Sequence, residues 1–253
     1  MEKRRVEIQI YDFPKELHHL FKDAAIYDTS CHSGATVLYS DQGYYIKIDG
    51  KGILFREAEM IKLFSRMKMG AELICYISEE KDYLVTKAVK GDDATHWLDE
   101  PEKLCEMLAD AMKRLHGMPM DGVQVSPCMD AYEQLKVRLG TSGMTEKTEI
   151  KHTDLSEDAA SGRFTGIAKL KYDTMIHGDF CLPNVMIKDS QFEAFIDVGL
   201  AGVGDRHIDI FWALWSLEYN LKTDKYRDYF LDLYGREYVN MDILALVETV
   251  EMR

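Results

Sequence analysis

Over the first 90 residues the apolar positions fall in short runs. VEIQI (6–10), TVLYS (36–40), YYIKI (44–48), ELICYI (72–77) and YLVTKAV (83–89) are aromatic and β-branched, and predict strands. SDQG at 40–43 supplies turn chemistry between two of them. In GILFREAEMIKLFSRM (52–67) the period changes: Leu54, Met60, Ile61, Leu63 and Phe64 recur at helical spacing, so one helix interrupts the strands.

Beyond KGDDA (90–94) the pattern becomes helical. PEKLCEMLADAMKRLHGM (101–118) places Pro101 in a first turn, an apolar stripe at Leu104, Leu108, Met112 and Leu115, and Gly117 as a stop. Residues 141–163 are polar with little periodicity and predict a long loop or short helices. TMI and VMI, flanking HGDFCLPN, and then FEAFIDVG (192–199) predict short strands. Helices follow at 209–221, 225–235 and 241–252. The expected fold class is α+β in two lobes: a small antiparallel sheet with one helix over 1–90, and a larger, mainly helical lobe over 91–253. They join near 86–91 and leave a cleft between them.

Charge sharpens this division. Residues 1–90 balance 14 Lys and Arg against 14 Asp and Glu, whereas residues 91–253 carry 17 against 30, so the whole net charge of −13 lies in the second part. Such a field disfavours nucleic acid and anionic membrane and suits a cationic ligand. No apolar run approaches the roughly 18 residues of a membrane span. The start, MEKRRVEIQIYDFPKEL, has no apolar core of a secretory signal, and the five cysteines show no metal spacing. A cytoplasmic protein with reduced, packing thiols is expected.

The candidate chemistry sits in MIHGDFCLPNVMI (175–187). His177, Asp179 and Asn184 crowd into one connection between apolar runs, and Asp197 follows thirteen residues after Asn184. Phosphoryl transfer from a nucleotide requires a carboxylate to orient the attacking hydroxyl and accept its proton, and hard oxygen ligands for the metal ions that neutralise the phosphates. Asp179, Asn184 and Asp197 supply that set in type and order. Their spacing matches the Asp-x-x-x-x-Asn loop and later metal-binding Asp of protein kinases. Upstream, YYIKI puts Lys47 on a strand among apolar neighbours, where its ammonium can reach phosphate oxygens. REAEM opens the next helix with Glu57 and Glu59. Residues two apart on a helix do not share a face, so one of the two pairs with Lys47, and Glu57 is the choice. CHSGATVLYS (31–40), with Ser33, reads as a turn whose backbone N–H groups face phosphates.

These segments, SGATVLYS, YYIKI, REAEM, IHGDFCLPNVMI and IDVGLAGVGDRHIDI, resemble in order and interval the aminoglycoside phosphotransferases of the protein-kinase-like superfamily. The likeness spans nearly the whole chain, and HGDFCLPNVM is most similar to the 3′-phosphotransferase subgroup. The resemblance implies transfer of the γ-phosphate of ATP or GTP, with magnesium, to a hydroxyl of an aminoglycoside antibiotic, the 3′-hydroxyl, conferring resistance. It further implies Asp179 as catalytic base, Asn184 and Asp197 as magnesium ligands, and Lys47 on the α/β-phosphates with Glu57 beside it. Ser33 would lie by the phosphates, Tyr45 would stack on adenine, and the Lys87 and Val89 backbone would meet the base edge. His177 would be structural.

A polycationic substrate also gives the acidic second lobe a purpose. HTDLSEDAASGRF (152–164) resembles the family's acidic substrate loop, with Asp154, Glu157 and Asp158 as candidates, joined by Glu218, Glu248 and Glu251. Leu200 stands where the 3′ subgroup carries an arginine, and the chain ends in Arg253 where relatives end in an aromatic residue. A monomer is expected, with a dimer as the alternative. Rival readings are a related kinase of choline, a sugar-amine or a macrolide, a protein kinase, and a catalytically silent nucleotide-binding module.

Overall fold

Strand alternation sorts the N-terminal side chains onto two faces of one sheet. The computed structural model describes residues 4–30, 34–119 and 170–251. In it β1 (Arg4–Val6), β2 (Ile26–Asp28), β3 (Thr36–Ser40), β4 (Tyr44–Gly50), β5 (Leu73–Ser78) and β6 (Lys81–Lys87) form an antiparallel sheet of order β1-β2-β3-β4-β6-β5. One face carries Ile26, Leu38, Ile46 and Val85. It is covered by Leu17, Leu20 and Phe21 from a 3-10 turn (Lys15–Leu17) and the short helix α1 (His18–Phe21). The other face carries Tyr45, Lys47 and, directly opposite Lys47, the buried Leu84.

An expectation changes here. Residues 7–10 do not continue the strand: β1 ends at Val6, because its partner β2 offers only the three positions Ile26, Tyr27 and Asp28. The chain then enters a 3-10 turn at Ile10–Asp12. In turn β2 itself, IYD, is too short to show alternation in the sequence.

Helix α2 (Phe55–Arg66) buries Glu57, Met60, Ile61 and Phe64, positions i, i+3, i+4 and i+7 of one stripe. Its N-terminus has no capping side chain of its own. Asp82, fully buried on β6, takes that part instead. Its carboxylate accepts from the Gly52 and Leu54 amides at 2.9 and 2.8 Å, and from the Ser78 and Tyr76 hydroxyls at 2.6 and 3.0 Å. A negative charge at this end also suits the helix dipole.

The described residues divide into two units, one running to Lys90 and including Glu193–Gly199, the other comprising Gly91–Phe192 and the residues from Leu200 onward. In the second unit β7 (Asp92–Asp93) pairs with β9 (Val185–Lys188), and β8 (Thr174–Ile176) pairs with β11 (Gly202–Gly204). After β9, Asp189 and Ser190 turn the chain at φ of 51° and 60° into β10 (Gln191–Phe195). Both values suit a two-residue hairpin turn.

Helix α3 (Pro101–His116) starts on Pro101 and buries Leu104, Leu108, Met112 and Leu115. It packs on α5 (Arg227–Tyr234), while α4 (Arg206–Leu221) packs on α6 (Met241–Glu251). Asp205 caps α4 by accepting the His207 amide at 3.0 Å. Among the described residues no helix is long and apolar enough to cross a membrane. The polar stretch 141–163 lies outside the described residues.

Candidate active site

In the first unit, Lys47 is the centre of a charged cluster. Its Nζ donates to Glu57 Oε2 at 2.8 Å and to Asp197 Oδ1 at 3.0 Å. Glu57 meets it because it lies on the buried stripe of α2. Glu59 lies off that stripe and pairs with Lys62. Burial draws the Lys47 ammonium down, but the charges of Glu57 and Asp197 outweigh it and hold the group above the ordinary lysine range. Lys47 therefore stays charged. Burial lifts Glu57 above the usual carboxylate range, against the opposing pull of Lys47. Asp197 sits at φ 55°, a left-handed conformation that L-residues enter rarely and mainly at functional or turn positions. After it, the Gly199 carbonyl accepts from Arg56 of α2, which ties this segment to the helix carrying Glu57.

Tyr45 lies on the Lys47 face and packs against Tyr39, ring centroids 5.0 Å apart. Lys87 is exposed, and its N–H donates to the Glu72 carbonyl at 2.9 Å. Val89 is half-buried near the end of this unit. Ser33 lies outside the described residues.

The second unit builds the HGDFCLPN loop between β8 and β9. Gly178 has φ +80°, and a Cβ there would stand 2.3 Å from the Leu200 carbonyl oxygen, so only glycine fits. The amides of His177 and Gly178 point to one acceptor, Asp209 in the first turn of α4. His177 N–H donates to Oδ2 at 2.7 Å and Gly178 N–H to Oδ1 at 2.8 Å. Asp209 is fully buried and is met also by His116 Nε2 at 3.1 Å, while His116 Nδ1 lies 2.9 Å from the Tyr234 hydroxyl. Burial pushes Tyr234 up to about 12, so its hydroxyl keeps its proton. The Asp209 carboxylate can only accept, so His116 presents Nε2–H to it. His177 is fully buried, with Nδ1 facing the Asp179 amide at 3.3 Å.

Asp179, half-buried, is oriented from within its own loop. Asn184 Nδ2 donates to Oδ2 of Asp179 at 3.1 Å and to its carbonyl at 3.0 Å. Cys181 Sγ donates to Oδ1 at 3.1 Å. Burial and then the charge of Asp179 hold the Cys181 thiol well above its usual range, so it is a proton donor rather than a thiolate. The described cysteines, Cys75, Cys105 and Cys181, are free thiols. Cys181 does more than pack.

Asn184 in the second unit and Asp197 in the first each offer an oxygen of the kind a hard cation takes. The Asn184 nitrogen is committed to Asp179, which leaves Oδ1 as its acceptor, and Asp197 is exposed with Oδ2 not used by Lys47. Among the described residues no group of three or more His, Cys, Asp or Glu is placed to hold a metal.

Of the remaining candidates, Glu218 and Glu248 are exposed on α4 and α6, outside the hydrogen-bonded group around Asp179. Asp154, Glu157, Asp158 and Arg253 lie outside the described residues. Sequence reasoning missed Asp209 as the loop's clamp. Its signal was an aspartate inside the apolar run IDIFWAL, a place where a solvated carboxylate is not expected.

A lysine on a strand paired with a glutamate on the following helix, a clamped Asp-x-x-x-x-Asn loop and a later aspartate define a phosphotransferase of kinase-like fold. The model of the phosphotransferase enzyme family matches residues 68–244. The chain belongs to this family and, within it, to the aminoglycoside phosphotransferases. It is 37% identical to the "Probable aminoglycoside 3′-phosphotransferase" of Lactococcus lactis subsp. lactis (strain IL1403), over 98% of each chain. Its fold is that of aminoglycoside-3′-phosphotransferase of type VIII (TM-score 0.71, 19% identity, 96% of this chain and 98% of that one). It also matches APH(3′′)-Id from Streptomyces rimosus ATCC10970 in complex with ADP and streptomycin (TM-score 0.69, 19% identity, 97% and 98%).

Proposed function

We propose that the protein transfers the γ-phosphoryl group of ATP or GTP to the 3′-hydroxyl of an aminoglycoside antibiotic and so confers resistance to it. The observation that carries this reading is the Asp179 carboxylate, oriented through both oxygens on a loop clamped by Asp209. Near-full-length identity to a protein named as a probable aminoglycoside 3′-phosphotransferase supports the substrate class, and a fold neighbour solved with ADP and streptomycin supports the nucleotide.

In this reading Asp179 orients the acceptor hydroxyl and takes its proton as the P–O bond forms. Lys47, held charged by Glu57, binds the α- and β-phosphates, and Tyr45 stacks on the base. Asn184 and Asp197 would hold magnesium, which would supply positive charge against the charge that develops on the phosphates. Asp154, Glu157, Asp158, Glu218 and Glu248 are the acids offered to the substrate's ammonium groups. The protein acts as a monomer in the cytoplasm.

The test is nucleotide consumption by purified protein with aminoglycosides, choline, a macrolide and a generic protein substrate, followed by mapping of the phosphorylated hydroxyl. Turnover confined to aminoglycosides and lost by 10²-fold or more in Asp179→Ala, on the order of a general base's contribution, is expected. Turnover on choline or protein alone would replace the reading.

A further inference from the structure

A base that presents a lone pair to a hydroxyl must be held in orientation as well as in place, since a misplacement of about 1 Å can cost 10²-fold in rate. Asp179 stands on a loop, so no helix or strand ladder fixes its side-chain torsions. Asn184 reaches one carboxylate oxygen and the Cys181 thiol reaches the other, both at 3.1 Å.

The thiol is itself held. The Cys181 N–H donates to the Asp179 carbonyl at 2.8 Å, and its carbonyl accepts from the Asn184 N–H at 2.9 Å. The next amide, of Leu182, donates at 3.0 Å to Ser216 Oγ, a fully buried hydroxyl on α4. Helix α4 therefore grips the loop twice, through Asp209 before the aspartate and through Ser216 after it.

We propose that Cys181 is a positioning residue for phosphoryl transfer, its S–H on Oδ1 and the Asn184 amide on Oδ2 fixing the plane of the Asp179 carboxylate. This rests on the phosphotransferase reading above. With one donor removed, the carboxylate keeps its location but rotates about its last torsion, and the hydroxyl loses its aligned acceptor. The consequence falls on kcat, because neither substrate is bound through the thiol.

The test compares wild type with Cys181→Val, which keeps a similar volume without a donor, and Cys181→Ser, which keeps a donor. Steady-state kinetics in both substrates are read with thermal unfolding. The expected result is a kcat about 10-fold lower in C181V, with both KM values within about twofold and recovery of most of the loss in C181S. Should C181V fold poorly, Cys181→Ala takes its place, and a crystal structure of that variant is expected to show Asp179 turned from its wild-type plane. Wild-type kcat in C181V, equal losses in C181V and C181S, or an unmoved Asp179 in C181A would each overturn the assignment. Wild-type protein without kinase turnover overturns the phosphotransferase reading and removes this role with it. Wild-type turnover beside an unimpaired C181V overturns this role alone.

Discussion

The amide of Gly178 donates to Oδ1 of Asp209 at 2.8 Å, across 31 positions of sequence. With the His177 amide on Oδ2, it makes a carboxylate of one helix the acceptor for two consecutive N–H groups of the HGDFCLPN loop. Backbone amides buried without acceptors cost about 1–3 kcal/mol each. The loop therefore takes this shape where the Asp209 carboxylate lies beneath it.

Asp209→Asn replaces one of those two acceptor oxygens with an amide that cannot accept. The expected loss is about 1–3 kcal/mol of stability, with kcat lowered at least about 10-fold because the loop carrying Asp179 shifts. Chemical denaturation and steady-state kinetics measure both. Wild-type kcat in a destabilised protein would show that the clamp serves folding alone.

Lys47→Ala should raise the nucleotide KM and lower kcat, since an ammonium on phosphate acts in both the ground and transition states. Glu57→Gln keeps the shape of the partner and should show a milder form of the same defect. Glu59→Ala should leave nucleotide kinetics unchanged, because Glu59 faces Lys62. Kinetics in nucleotide at saturating aminoglycoside distinguish the three.

Asp197→Asn removes a charged hard ligand while keeping the side chain's shape. A magnesium titration should move to higher concentration and kcat should drop by about 10²-fold. An unchanged titration would return Asp197 to the role of a partner for Lys47.

Asp82 should contribute to the acid stability of the first unit. Burial alone would raise its pKa, but the Ser78 hydroxyl, the Gly52 and Leu54 amides and the Tyr76 hydroxyl outweigh it and hold the carboxyl below its ordinary value. A folded pKa below the unfolded one means a contribution present above about pH 4 and lost as pH falls through the folded value. Wild-type unfolding free energy should decline with acid over that window, and Asp82→Asn should abolish this part of the decline. At pH 7 the variant should be less stable by about 2–3 kcal/mol, the scale of hydrogen bonds to a charged group. Urea unfolding from pH 3 to pH 7 provides the measurement.

Local pattern carried much of this protein. Runs of alternating β-branched and aromatic residues mark β3 to β6, because a half-buried strand shows its period within five to seven residues. The helical stripes of α2 and α3 are legible for the same reason. The pattern fails for β2 and β7, of three and two residues, whose strand character comes from the partner they meet and not from their own composition. It fails for residues 7–10 in the opposite sense: the run is apolar enough for a strand, but the neighbouring strand ends.

The candidate site divides along the same line. Asp179 and Asn184, five residues apart in one loop, are set by sequence, since a short connection cannot separate them. Helix periodicity likewise allows only one of Glu57 and Glu59 onto Lys47. The tertiary structure decided the rest: the roll of α2 that turns Glu57 inward, the bond from Lys47 to Asp197 across 150 positions, and Asp209 beneath the loop. The sequence period reports which face of an element is apolar but not what that face will meet. A buried carboxylate finds its donors only when another element brings unpaired amides to it, and that meeting is a property of the packed chain.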